Sequence, residues 1–184
     1  VLFWDGVRHL PIATEGGHCD FAPNDEREDA LLLYLRKRYR GHVSYERILS
    51  GPGLYNIYCF LRDSEFAPVS VDPDAQEGDP SAVISRLALE GRDPLCMEAL
   101  RMFARIYGAE AGNLALKCLS AGGVRIGGGI APKILPVLQQ GEFMRGFLDK
   151  GRFEGMLKKM SVKVALYPKA PLLGAAYYAE GRVN

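Results

Sequence analysis

Gly122-Gly123-Val124-Arg125-Ile126-Gly127-Gly128-Gly129, followed by Ile130-Ala131-Pro132 and later by Val162-Lys163-Val164-Ala165-Leu166-Tyr167, decides the fold class. The first stretch reads as a short strand between glycine turns, after which Pro132 opens a helix to about Gln139. Residues 162–167 alternate as a strand does. A further helix is predicted over 142–149, and Pro171 starts a last one over 172–179. Strands alternating with helices predict an α/β architecture.

Upstream, the chain is mostly helical. Asn24 reads as an N-cap, with Asp25, Glu26, Glu28 and Asp29 in the first turn and Arg36, Lys37, Arg38 and Arg40 in the last. That polarity complements the helix dipole, so the basic cluster reads as a solvated helix end rather than a phosphate patch. Gly41 is the expected stop. Ser44 is expected to cap a short helix over 45–49, and Pro52 to open a second over 53–62. Residues 64–79 read as a surface loop. Asp79-Pro80 and Asp93-Pro94 start helices over 80–90 and 94–119, the first stopped by Gly91. In the longer one, Gly108 and Gly112 signal close packing on a sheet or helix, or a kink. This helical block between 24 and 120 is expected to be an insertion or appended layer. At the other end, Val1-Leu2-Phe3-Trp4 reads as a strand, Asp5-Gly6 as a turn and residues 7–10 as a returning strand. The chain starts without Met, within that strand, and is expected to lack its N-terminal part.

A chain of 184 residues is most simply one domain and can bury roughly 70% of its unfolded surface. With 23 basic and 22 acidic residues the net charge is +1, which argues against an extended nucleic-acid footprint or a polybasic membrane anchor. Cys19, Cys59, Cys96 and Cys118 have no metal-ligand spacing and read as free thiols in a reducing cytosol. No apolar run reaches the ~18 residues of a membrane span. No signal peptide is expected, and the location expected is cytoplasmic.

The side chains that carry chemistry gather near Glu15-Gly16-Gly17-His18, Ser44-Tyr45-Glu46-Arg47 and Ser50-Gly51-Pro52-Gly53. Carboxylates accept hydrogen bonds and a neutral imidazole both donates and accepts. On glycine-shaped loops they suit a polyol, and nothing here resembles an acyl-transfer nucleophile. Each also has a plainer reading: Glu46 serving a helix dipole, His18 a structural hydrogen-bonder, Glu15 uninformative alone. Gly127, Gly128 and Gly129 read by themselves as strand-to-helix punctuation. They form neither a Walker P-loop nor a dinucleotide fingerprint.

Taken in order, Glu15-Gly-Gly-His18-x-Asp20-Phe21-Ala22-Pro23 and His42-Val43-Ser44-x-Glu46-Arg47-x-Leu49-Ser50-Gly51-Pro52-Gly53-Leu54 closely resemble the bacterial glucokinase family. So do Gly112-Asn113-Leu114-Ala115-Leu116, Gly122-Gly123-Val124-x-Ile126-x-Gly128-Gly129-Ile130, Lys150-Gly151-Arg152-Phe153 and Leu172-Leu173-Gly174. The resemblance implies an actin-like, ribonuclease H-like ATPase fold of two lobes, with residues 1–184 as most of the larger C-terminal lobe. It implies ATP-dependent phosphorylation of glucose to glucose 6-phosphate, the first step of glycolysis, with Mg2+ bound to ATP. Glu15, His18 and Glu46 become the expected sugar-hydroxyl ligands, with Asp20 orienting the loop. Gly127, Gly128 and Gly129 become the expected adenosine-side turn. The family's phosphate motif and its catalytic aspartate, the general base, are expected in an N-terminal lobe that this chain lacks. By that reading the chain is inactive alone. A homodimer is expected by resemblance. Repressor-related sugar kinases carry a cysteine cluster for zinc, whereas residues 19–45 hold only Cys19, so no structural zinc is expected. The rival readings are a non-catalytic sugar-binding or regulatory module and a kinase for another hexose.

Overall fold

The computed structural model describes residues 1–69 and 71–181. Among them, strands β1 (Leu2–Trp4) and β2 (His9–Pro11) form an antiparallel hairpin in which Leu2 faces Pro11 and Trp4 faces His9. Asp5 closes its turn by accepting the Val7 and Arg8 backbone N–H groups on Oδ1, each at 2.8 Å.

Helix α1 (Glu26–Tyr39) begins one residue later than expected, because Asp25 rather than Asn24 is the N-cap. The Asp25 carboxylate accepts the Glu28 N–H at 2.9 Å, and the Glu28 carboxylate accepts the Asn24 N–H at 2.8 Å. This reciprocal pair resembles a capping box and satisfies two otherwise orphaned donors. Burial raises the pKa of the Glu28 carboxyl. Arg40, not Gly41, takes the left-handed C-cap conformation.

Helix α2 (Gly51–Asp63) starts on Ser50, whose hydroxyl accepts the Gly53 N–H at 3.0 Å. Helices α3 (Pro80–Leu89) and α4 (Pro94–Cys118) start on Asp79 and Asp93 as the Asp-Pro signals predict, since proline at N1 gives up only a donor that would be orphaned. The loop before α3 is tied down by a 3-10 turn at Pro73–Ala75 and by the Tyr58 hydroxyl, which donates to the Val71 carbonyl at 3.2 Å.

Beyond α4, β3 (Val124–Ile126) lies parallel to β4 (Val162–Val164), with Val124 opposite Val162. The extended alternation therefore ends at Val164 rather than Tyr167. Between these strands lie α5 (Ile130–Lys133), α6 (Leu135–Gln139), α7 (Glu142–Leu148) and α8 (Glu154–Leu157). The helix expected from Pro132 is two short ones joined at Ile134, and the first starts before the proline. Helix α9 (Ala170–Ala179) is the last helix among the described residues and buries none of its residues.

The core forms around α4, which packs against α7, α3 and α2. Leu95, Leu100, Phe103, Ile106, Tyr58 and Phe147 are fully buried in it. Gly108 and Gly112 settle the close-packing question in favour of a helix partner. A Cβ on Gly108 would overlap the Phe143 carbonyl of α7, and one on Gly112 would lie 2.6 Å from the Phe147 carbonyl oxygen. Gly146 of α7 answers from the other side, against the Arg105 carbonyl. The architecture is α/β, mostly helical, with small sheets.

Candidate functional site

Glu15 leads into a 3-10 turn at Gly16–His18, closed by the His18 N–H donating to the Glu15 carbonyl at 3.0 Å. The chain then runs antiparallel to residues 43–45. Phe21 N–H donates to the Val43 carbonyl at 2.9 Å, Asp20 bridges Ser44, and Tyr45 N–H donates to the Cys19 carbonyl at 3.0 Å. Ser44 makes no side-chain cap; its backbone belongs to this pairing, and the short helix expected after it is a 3-10 turn at Tyr45–Arg47.

The pairing sets the two turns side by side. His18 Nε2 lies 3.2 Å from Glu46 Oε2 and 4.0 Å from Glu15 Oε2. The three residues singled out in the sequence, 31 positions apart at their extremes, thus form one cluster. It is open to solvent: the side chains of His18, Glu15 and Glu46 are 63%, 91% and 56% exposed. Such a group offers several acceptors and one switchable donor to a ligand rich in hydroxyls. Asp20 points elsewhere and pairs with His42 at 2.8 Å, a partner that sequence reasoning missed.

The turn bearing Glu46 is anchored on both sides. The Arg47 carbonyl accepts from the buried Asn56 amide at 2.8 Å, and the Arg47 guanidinium lies 4.2 Å over the Tyr39 ring. Ser50 Oγ donates to the Glu46 carbonyl at 2.7 Å. Tyr45 is buried, edge-on to Phe21 at 5.6 Å. Its hydroxyl accepts from Asn113 Nδ2 of α4 at 3.1 Å. Burial and the nearby Glu110 carboxylate push the Tyr45 phenol up to about 12. Asn113 and Asn56 gave no local signal, since their partners lie 68 and 9 positions away.

Gly127, Gly128 and Gly129 follow β3 directly, and Gly128 has φ +95°. A Cβ on any of them would meet nothing within 4 Å, so the main chain is accessible there. The residues just beyond, Ile130, Lys133 and Ile134, line a cavity of about 500 Å³ with Ser50, Gly51 and Ser81. The sugar-ligand candidates are not among its lining residues. Among the described residues, no three His, Cys, Asp or Glu side chains cluster as a metal site, and no helix is long and apolar enough to cross a membrane.

Comparison with known proteins shows what the chain is similar to. A family model described as glucokinase matches residues 1–182. The chain is 45% identical over 186 residues to the glucokinase of Synechocystis sp., covering 94% of this chain and 52% of that protein. It is 46% identical over 169 residues to the glucokinase of Zymomonas mobilis, covering 92% of this chain and 49% of that protein. Among solved structures, a glucokinase from an Antarctic psychrotroph superposes with a TM-score of 0.82 at 30% identity, over 98% of this chain and 53% of that one. A glucokinase from Balamuthia mandrillaris in complex with glucose shares the fold, with a TM-score of 0.83 at 22% identity over 98% of this chain and 50% of that one. The chain spans about half the length of the curated relatives it matches. It belongs to the glucokinase family.

Proposed function

We propose that this chain supplies the sugar-binding wall of an ATP-dependent glucokinase and that Glu15, His18 and Glu46 hold the glucose. The observation that carries the reading is the 3.2 Å approach of His18 to Glu46 from two separate turns. Each turn is held by backbone pairing, while the side chains themselves stay accessible. The glucose held in the Balamuthia mandrillaris relative's structure fits this reading.

Phosphoryl transfer depends mainly on positioning and on charge stabilisation. Carboxylates and imidazole bonded to the ring hydroxyls orient the sugar so that its 6-hydroxyl faces the γ-phosphate of ATP. The hydroxyl loses its proton to a general base, its oxygen bonds to the γ-phosphorus, and ADP leaves with the broken bond's electrons. Glucose 6-phosphate is the product. We assign the base to an aspartate in an N-terminal lobe outside this chain, with residues 1–184 as the larger C-terminal lobe of an actin-like, ribonuclease H-like ATPase fold. The exposed apolar side chains of the hairpin (Leu2, Phe3, Trp4) and of α9 (Leu172, Tyr178) are consistent with further protein covering them. The nucleotide reaches the chain at Gly127, Gly128 and Gly129, where the main chain is open, beside the cavity lined by Lys133. Mg2+ carried on the ATP phosphates would neutralise their charge. The enzyme acts in the cytoplasm as a homodimer.

Replacing Glu46 with Gln in the full-length protein tests this. A hydrogen bond to a charged group contributes about 1.5–3 kcal/mol, so kcat/KM for glucose should fall on the order of 10- to 100-fold. Unchanged steady-state kinetics would remove Glu46 from the site.

A further inference from the structure

Tyr45 joins the two turns that carry Glu46 and His18. Tyr45 is the residue before Glu46, and its backbone N–H holds the Cys19 carbonyl, the residue after His18, at 3.0 Å. Tyr45 is only 4% exposed, so the phenol oxygen needs an internal partner. Helix α4 supplies it. Asn113 donates one amide hydrogen to the Tyr45 hydroxyl at 3.1 Å and the other to Glu110 Oε2 at 3.0 Å. Glu110 is itself 7% exposed and faces the same hydroxyl. The amide thus sits between a buried phenol and a buried carboxylate, and both amide hydrogens are used.

We infer that Asn113 is a positioning residue for the sugar site: through the Tyr45 hydroxyl it locks the Tyr45–Arg47 turn to α4 and so fixes Glu46 at its distance from His18. The inference rests on Glu15, His18 and Glu46 being the sugar ligands. Asn113 touches none of them and acts only through Tyr45. Helix α4 is the central element of the core, packed against α7, α3 and α2, so the turn is tied to the core. The second anchor, from Asn56 to the Arg47 carbonyl, holds the far end of the same turn, while at the Tyr45 end the hydroxyl also meets the Ala22 backbone and Glu110.

Tyr45→Phe removes the hydroxyl and keeps the ring; Asn113→Leu keeps the volume and removes the donor. Both variants, their combination and Glu46→Gln are compared in the full-length protein, varying glucose and ATP separately and recording the thermal midpoint. The loss of one hydrogen bond should raise the glucose KM roughly three- to tenfold in each single variant. The ATP KM should not change, and the double variant should be no worse than the poorer single one, because both cut the same link. Two outcomes overturn the inference while leaving the sugar ligands in place: Glu46→Gln impairs glucose use but both single variants keep the wild-type glucose KM, or glucose and ATP KM rise together with a lowered midpoint. If Glu46→Gln itself leaves glucose kinetics untouched, the ligand assignment fails and the inference fails with it.

Discussion

Replacing Gly108 with alanine probes the contact on which the core is built. In an ordinary helix interior this change stabilises by up to about 1 kcal/mol, because glycine loses more backbone freedom on folding. Here the new Cβ would lie 2.7 Å from the Phe143 carbonyl carbon and 3.0 Å from its Cα, and would overlap the carbonyl oxygen. These are backbone atoms of α7 and cannot rotate aside. Ordinary carbon contacts begin at about 3.5 Å, so α7 must retreat by on the order of 1 Å. Phe143 and Phe147, both buried on α7, retreat with it. Overpacking of this kind costs about 1–3 kcal/mol and sometimes more. After the propensity gain, a net loss of about 1 kcal/mol and up to about 2 kcal/mol remains, which lowers the thermal midpoint by roughly 2–8 °C for a chain of this size. Thermal unfolding followed by far-ultraviolet circular dichroism reads it. Gly174→Ala, in α9 with nothing within 4 Å of the added methyl, is the control and should leave the midpoint unchanged or raise it. A Gly108→Ala midpoint at or above wild type would refute the close-packing argument.

Three further outcomes follow from the same structure. Asp25→Ala removes both the α1 cap and the ion pair to Arg105 at 3.1 Å, and should cost about 1–2 kcal/mol in denaturant unfolding; Asp25→Asn, which can still cap, should cost less. Cys19 and Cys118 are exposed while Cys59 and Cys96 are buried, and burial followed by the Asp93 carboxylate pushes the Cys96 thiol up to about 12. At pH 8 a thiol reagent should therefore label two cysteines quickly and the other two only after denaturation. Because the folded value of Cys96 is raised above its ordinary 9.0, its contribution to stability is complete below pH 9 and declines between pH 9 and 12. Fast labelling of all four thiols at pH 8 would contradict the packing.

Helix boundaries with a local chemical cause were legible. Asp79-Pro80 and Asp93-Pro94 start helices because an Asx cap and a proline at N1 act within a few residues. Asn24 was misassigned because two adjacent cap-competent residues compete, and the reach of Glu28 back to Asn24 leaves the cap itself to Asp25. Ser44 failed as a cap because Asp20, 24 positions earlier, claims its backbone for pairing. The register of β3 on β4 spans nearly forty residues and left no mark in either strand. At the site, residue types were readable and adjacency was not. Glu15, His18 and Glu46 stood out by chemistry and by family resemblance, while the Asp20–Ser44 bridge that joins their loops did not. Tyr45 and Asn113 both stood inside quoted motifs, but their contact was not legible: a buried phenol and an amide on another helix show no shared pattern until the chain folds.

The central claim, that Glu15, His18 and Glu46 grip one monosaccharide, is tested most directly by a crystal structure of the full-length protein with glucose bound. The account predicts sugar hydroxyls within hydrogen-bonding distance, about 3 Å, of all three side chains, with His18 and Glu46 still adjacent. Glucose bound elsewhere, with these three side chains facing only solvent, would contradict it.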